Sequence, residues 1–391
     1  MLVNLWYVAQ ESRNVSTEPV HVRLLGQDLV LFRDAGGRVV CLSDICVHRG
    51  ASLGRGRIVD GTVECPFHGW RYDAEGRCVR IPAHPDAAIP ARARVDAYPT
   101  VERYGWIWVF IGDLPEPDRP PLPVLDGYED EGWRFVRGDW LFRANWERTV
   151  ENGLDASHAP FVHGAAFGDR DRPEVMDFSI ERHDWGASGE ITMYPPKPRG
   201  LWGLRTPDRP PVMTRPHFHI CGVLVGLKLD IAAKMAIWIY TAHSPVDETT
   251  TRAWWQMGRN FLLSPLFDRN TIKRNVRIFE QDAAVIEHVR PLHVPQSLRE
   301  EVTVKSDALQ MEFRRLVRRL ESRGWKIDGE RLHAEYGDRR VATLPCPARR
   351  TAAAWVIDTV PLVAPAAQGD RIAEQAADEK TPATVERPQA S

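Results

Sequence analysis

CVHRG at residues 46–50 and CPFHGW at residues 65–70 decide how this chain is read. Each stretch pairs one cysteine with one histidine: Cys46 with His48, then Cys65 with His68. Two thiolates and two imidazoles suit either a tetrahedral zinc or a two-iron cluster. Zinc sites commonly pair like with like, as C-x2-C and H-x3-H. Here both pairs are mixed, so each loop can give one ligand to each of two irons. One iron then carries thiolates and the other imidazoles. Gly50, Pro66 and Gly69 allow tight turns that aim backbone N–H groups at the sulfurs, which helps set the potential of such a cluster.

On these residues the N-terminal part resembles the Rieske domain of the Rieske non-haem iron oxygenases, the terminal (alpha) components of ring-hydroxylating and demethylating systems. The resemblance runs over most of the chain. It is nearest to the vanillate and dicamba O-demethylases, the carbazole oxygenases and the saxitoxin-pathway hydroxylases, the last group through HGAAFGDRDRPEV at 163–175. It implies an α+β protein: an N-terminal all-β Rieske domain followed by a catalytic helix-grip domain with a curved antiparallel sheet.

Composition agrees with a multidomain enzyme. The chain has 391 residues, 43% hydrophobic and 27% charged, enough for more than one core. A net charge of −2 gives no electrostatic reason to expect nucleic acid or an anionic membrane as partner. The start, MLVNLWYVAQ, lacks a signal-peptide pattern, and no apolar run is long enough to span a bilayer. Six cysteines are present, two of them assigned to the cluster. The other four, Cys41, Cys78, Cys221 and Cys346, read as buried small residues rather than disulfides, so a cytoplasmic setting is expected.

Short β-prone runs separated by turn residues fill the first part: 20–25, 28–33, 38–42, 62–64, 70–73, 78–82, 95–98 and 106–111. The proline-dense segment DLPEPDRPPLPVLD at 113–126 reads as a stiff linker. We therefore expect a cluster domain over 1–120, a mononuclear-iron domain over 121–350, and a structureless tail over 351–391, rich in Ala, Pro and charge.

The second chemical stretch is NWERTVENGLDASHAPFVH at 145–163. Helical spacing over Trp146 to about Ser157 puts Glu151, Asp155 and His158 on one stripe. In an unbroken helix His163 would point about 140° away from His158. Pro160 breaks the helix, so both imidazoles can turn to one metal. Two histidines and a carboxylate make the facial set of non-haem Fe(II), with positions left open for O2. The carboxylate is expected from the amphipathic run IKRNVRIFEQDAAVIEHVR at 272–290, where Ile278, Phe279, Asp282, Val285 and Ile286 share the apolar side. A carboxylate on such a face needs a partner. Asp282 is the expected third ligand; Glu280 and Glu287 point by phase toward solvent. Strand-like runs between 175 and 260 predict the curved sheet, with His217 and His219 as fold or wall residues. A basic amphipathic helix is expected over 308–322.

The resemblance makes Asp155 an electron bridge between subunits, hydrogen-bonded to a ligand histidine, and so implies a homotrimer. It implies a [2Fe–2S] cluster, Fe(2+), and O2 as co-substrate. Partners are a ferredoxin or flavin-dependent reductase and a small cyclic or aromatic substrate, since no G-x-G-x-x-G opens a helix here. The expected activity is O2-dependent hydroxylation. O- or N-demethylation would use the same metals. A bare electron carrier would leave the second histidine pair and Asp282 without a purpose.

Overall fold

Trp106–Ile111, WIWVFI, is apolar and buried at every position, as befits a strand covered on both faces. It is the middle strand of a three-stranded antiparallel sheet with Leu5–Glu11 and Thr100–Arg103 at its sides. This arrangement, like all that follows, comes from a computed structural model that describes residues 1–164, 166–196, 210–232, 234–295, 299–337 and 339–367. The chain divides into two compact units: Met1–Leu122 with Ser244–Glu248 and Leu320–Ala366, and Pro123–His243 with Thr249–Arg319.

The first unit is built from small antiparallel sheets. Val20–Leu24, Gln27–Arg33, Val39–Ser43 and Ala97–Tyr98 form one. Arg57–Val59, Thr62–Glu64, Arg71–Tyr72 and Cys78–Arg80 form another. Val30, Phe32, Leu42, Val63 and Tyr72 make a shared core that also takes in Cys46, Cys65 and Cys78.

The C-terminal part of this unit corrects the expected boundaries. The stretch 320–366 belongs with the N-terminal sheets rather than with the catalytic unit, and 351–367 is not a structureless tail. Ala342–Thr343 pairs in parallel with Asp358–Thr359, and Leu344, Cys346 and Val360 are buried. Asp96, 2% exposed, accepts from Arg349 at 2.7 and 2.8 Å and from Thr343 at 2.8 Å. The guanidinium groups of Arg94 and Arg349 lie over the Trp355 ring, at 4.3 and 4.0 Å. The Ala- and Pro-rich composition hides these few anchors. The remaining expected tail, 368–391, lies outside the described residues. Removing one partner of a buried ion pair strands the other, at about 3–5 kcal/mol. Arg349→Met is therefore expected to lower the unfolding free energy of the first unit by about that amount, read from the shift of its urea midpoint.

The second unit is one seven-stranded sheet. Its strand order is Arg134–Phe142, Thr251–Arg259, Met235–Pro245, Leu224–Ala232, Val212–His219, Gly186–Met193 and Met176–His183. Arg134–Phe142 runs antiparallel to Thr251–Arg259, and the strands from Met235–Pro245 through to Met176–His183 are each antiparallel to the next. The edge strand Arg134–Phe142 (RFVRGDWLF) carries no clean alternation, which is why it escapes a sequence reading. Among the described residues four helices accompany the sheet: α1 (Trp146–Leu154), α2 (Ala159–Val162), α3 (Asp268–Ile286) and α4 (Ala308–Glu321). Asn145 caps α1, its side chain accepting from Glu147 N at 3.0 Å. Helix α4 occupies the expected basic segment and buries Leu309, Phe313, Leu316, Val317 and Leu320. Its Arg314 is not on a solvated face: it is buried against Glu151 and donates to Glu301 at 2.7 Å.

Candidate metal centres

The two cluster loops of the first unit are built alike. Cys46 N donates to Ala51 O at 2.8 Å, and Cys65 N donates to Trp70 O at 2.8 Å. Gly50 N closes back on Cys46 O at 2.8 Å, and Gly69 N on Cys65 O at 3.0 Å. Both closing residues sit at φ near +70° (73° and 69°), where glycine is favoured. The loops bring His48 and His68 together edge to face, ring centroids 4.4 Å apart. Trp70 stacks on His48 at 4.6 Å with the planes 3° apart. Both cysteines are buried, and burial followed by the neighbouring Cys65 pushes the Cys46 thiol up. His48 Nδ1 is buried without a hydrogen-bond partner among the described residues. Paired buried thiols beside an orphaned, buried imidazole nitrogen fit a cluster with two thiolates on one iron and two imidazoles on the other.

Sequence reasoning missed Tyr72, whose hydroxyl lies 3.1 Å from Cys46 Sγ. A hydrogen bond to a ligand sulfur stabilises the more negative, reduced cluster. At about 1 kcal/mol, with 59 mV per tenfold for one electron, the effect is roughly 40 mV. Tyr72→Phe is expected to lower the cluster midpoint by about that much in a redox titration.

In the second unit, α1 ends at Leu154, earlier than the spacing suggested. Asp155 and His158 are therefore not on a helical stripe with Glu151, which is turned instead to Arg314. His158 and His163 are the N-cap and C-cap of the single turn α2, which carries Pro160 near its start. The break brings the rings to 5.1 Å at 76°. From α3, Asp282 Oδ1 comes within 3.0 Å of His163 Nε2 and 3.6 Å of His158 Nε2. One donor atom from each residue lies within 4.8 Å of the others, and this is the group the described residues offer for a metal. Oδ1 of Asp282 is buried yet makes no hydrogen bond of acceptable geometry. Lone pairs that converge without bonding one another fit a shared cation. Burial pushes Asp282 up, but a protonated His158 beside it outweighs this and holds the carboxyl at about 2. Burial likewise opposes charge on His158, and Asp282 and Asp155 overcome it, so its pKa is raised.

The face of α3 differs in detail from the expected one. Asn275, Phe279, Asp282 and Ile286 are buried, whereas Val285 is exposed. Gln281, also unforeseen, places Oε1 3.0 Å from His163 Nδ1. A carbonyl oxygen only accepts, so Nδ1 carries the proton and Nε2 keeps its lone pair toward Asp282. Asp155 Oδ2 lies 3.7 Å from His158 Nδ1, and Asp155 Oδ1 accepts from Ser157 N at 2.7 Å. His158, His163 and Asp282 sit in the wall of a cavity of about 670 Å³ lined mainly by apolar side chains, among them Leu227, Ile239 and Met257. His217 and His219 belong to the fold: neither lines the cavity, and burial pushes His217 down to about 4.

Residues 5–99 match the Rieske [2Fe-2S] domain, and residues 142–323 match the vanillate O-demethylase oxygenase C-terminal domain. Methylxanthine N3-demethylase NdmB of Pseudomonas putida is 30% identical over 308 residues, 76% of this chain and 81% of that protein. The chain belongs to the Rieske non-haem iron oxygenases. Aminopyrrolnitrin oxygenase PrnD of Pseudomonas fluorescens is another relative of this oxygenase, 37% identical over 204 residues; the match spans 48% of this chain but only 56% of PrnD. Among solved structures, NdmB superposes with a TM-score of 0.68 at 26% identity, covering 79% of this chain and 88% of that one. A caffeine-bound NdmA variant reaches 0.70 at 25% identity, over 82% and 91%. Rieske oxygenases use a [2Fe–2S] cluster and a mononuclear iron, and the two sets of side chains fit those groups. No helix among the described residues is long and apolar enough to cross a membrane.

Proposed function

We propose that the protein is a terminal oxygenase that inserts oxygen from O2 into a C–H bond of a small cyclic or aromatic substrate. Cys46 and Cys65 hold one iron of the cluster, and His48 and His68 the other. His158, His163 and Asp282 hold the mononuclear Fe(2+). When bound, the ferrous ion activates O2 and the cluster supplies its electrons.

The chain's own residues do the rest. Gln281 fixes the His163 ring and its tautomer, and Pro160 turns the His158 and His163 side chains to one side. The apolar wall excludes water and takes the ring of the substrate. Asp155, facing His158 Nδ1, is the electron bridge to the cluster of a neighbouring subunit, in the homotrimer that the family resemblance implies. Electrons enter from a separate ferredoxin or flavin-dependent reductase. Six free cysteines and a ferrous site suit the cytoplasm.

The observation that carries this reading is the His158–His163–Asp282 group in the wall of the cavity, downstream of the two Cys/His loops. Demethylation is a second reading, favoured by the match of 142–323 to an O-demethylase domain. Hydroxylating a methyl on O or N gives a hemiacetal or hemiaminal that releases formaldehyde, so the residues have the same roles. The test is a substrate screen with a surrogate reductase, read by mass spectrometry. Gain of one or two oxygen atoms, or loss of a CH2 unit with formaldehyde, supports an oxygenase. No O2-dependent product from any ring compound, in protein carrying three irons per chain, overturns it.

A further inference from the structure

The charged groups lining the cavity leave two cations without a partner. The wall holds the carboxylates Asp155, Asp230 and Asp282 and the guanidinium groups Arg259, Arg274 and Arg277. Asp282 and Asp155 are turned to the imidazoles of the metal group. Asp230 is held by Arg215 at 2.5 Å, and Arg259 by Asp268 at 2.6 Å. Arg274 and Arg277 remain, and neither guanidinium has an ion pair or a hydrogen bond among the described residues. Helix α3 fixes their place. Asn270, Arg274, Arg277 and Gln281 recur at i, i+4, i+7 and i+11, one stripe of the helix, and all of them line the cavity. The stripe ends at Gln281, whose Oε1 meets His163. Arg274 precedes the metal-facing Asp282 by about 12 Å along the axis, and Arg277 by about 7.5 Å, at the helical rise. Both arginines are exposed, so they stand at the open rim of the cavity rather than in its apolar depth.

We propose that Arg274 and Arg277 form the anion-binding end of the substrate site, and that the protein takes ring compounds carrying an acid group remote from the carbon to be oxidised. This rests on the oxygenase reading and adds the substrate class. Apolar side chains such as Leu227, Ile239 and Met257 take the ring. The acid group stays at the rim, where it keeps part of its water and gains the guanidinium donors, so burying the ring does not bury the charge. Like charges one turn apart on a helix repel each other, and a shared anion relieves that repulsion. The separation along α3 places the acid group a ring or more away from the reacting carbon.

The test is direct binding to the iron-loaded holoenzyme in O2-free buffer of low ionic strength, by calorimetry, with biphenyl-4-carboxylate and biphenyl-4-carboxamide as probes. The two are nearly the same size and shape and differ by one negative charge. The acid is expected to bind roughly tenfold more tightly, as suits charged contacts at an exposed rim. Arg274→Gln/Arg277→Gln should bring the ratio to about one, through loss of acid affinity alone. Amide affinity should hold, which a merely structural role of the arginines would not leave untouched. Both positions are exposed, so the substitutions spare the core. Arg274→Lys/Arg277→Lys keeps the charges without the planar forks and should recover part of the preference. Equal binding of the two probes by the wild type, binding of neither, or an undiminished preference in the glutamine variant overturns the proposal. Because binding is read without turnover, an inactive enzyme that prefers the acid would sink only the oxygenase reading. An active one without the preference would sink only this assignment.

Discussion

His158→Ala/His163→Ala is expected to lose O2-dependent turnover by roughly a thousandfold or more while its visible cluster spectrum stays unchanged. Loss of a residue that merely supports a metal ligand costs about 10–100-fold, so loss of two direct ligands costs more. Asp282 alone is one ligand where the group offers three, too few to hold a ferrous ion. Iron content should fall from three to two per chain. The cluster should persist, because Cys46, His48, Cys65 and His68 belong to the other compact unit and hang on their own backbone turns. The measurements are iron analysis, the visible spectrum and product formation, all on one preparation. Turnover that survives with the cluster intact would remove the ground for the ligand assignment.

How much of this was legible in the sequence differs from place to place, for physical reasons. The cluster loops were readable because a local repeat carries them: Cys, then His, then Gly four residues after each Cys, on turns closed within the loop itself. The hairpins Val20–Leu24/Gln27–Arg33 and Arg71–Tyr72/Cys78–Arg80 were likewise local. Asp282 was legible only as a charge on an apolar helix face, a signal that tertiary contact had to complete. Gln281 and Tyr72 left no such signal. A glutamine beside an aspartate, or a tyrosine on a strand, gains its role only when another segment comes within hydrogen-bond reach. The end of α1 was misjudged because spacing alone continued the helix through Asp155, whereas the chain turns there with Ser157 N bonded to the Asp155 carboxylate. The return of 342–360 to the N-terminal sheets was illegible, since it depends on the Asp96–Arg349 pair, far apart in sequence, and on a two-residue parallel pairing.

Asp155→Asn separates electron delivery from metal binding, and for that reason its expected effect is the more informative one. Asparagine has nearly the same volume and can keep the Oδ1 bond from Ser157 N, so the turn between α1 and α2 should survive. What disappears is the negative charge facing His158 Nδ1, a buried nitrogen with no hydrogen-bond partner among the described residues. Asp155 and Asp282 together raise the pKa of His158 against its burial, so both act on this imidazole. If Asp155 is the bridge, the variant should hold three irons and a normally reducible cluster. Re-oxidation of that cluster with substrate and O2 present should slow by roughly 100-fold, the upper range for loss of a group that orients a metal-ligating imidazole. Stopped-flow absorbance of the reduced cluster reports the rate directly. A variant that binds all its iron and re-oxidises its cluster at the wild-type rate would show that electrons reach the mononuclear site by another path. A variant that loses its mononuclear iron would make Asp155 a support for His158 rather than a conduit, and comparison with Gln281→Leu, which removes the acceptor behind the other imidazole, would then show how each histidine is held in place.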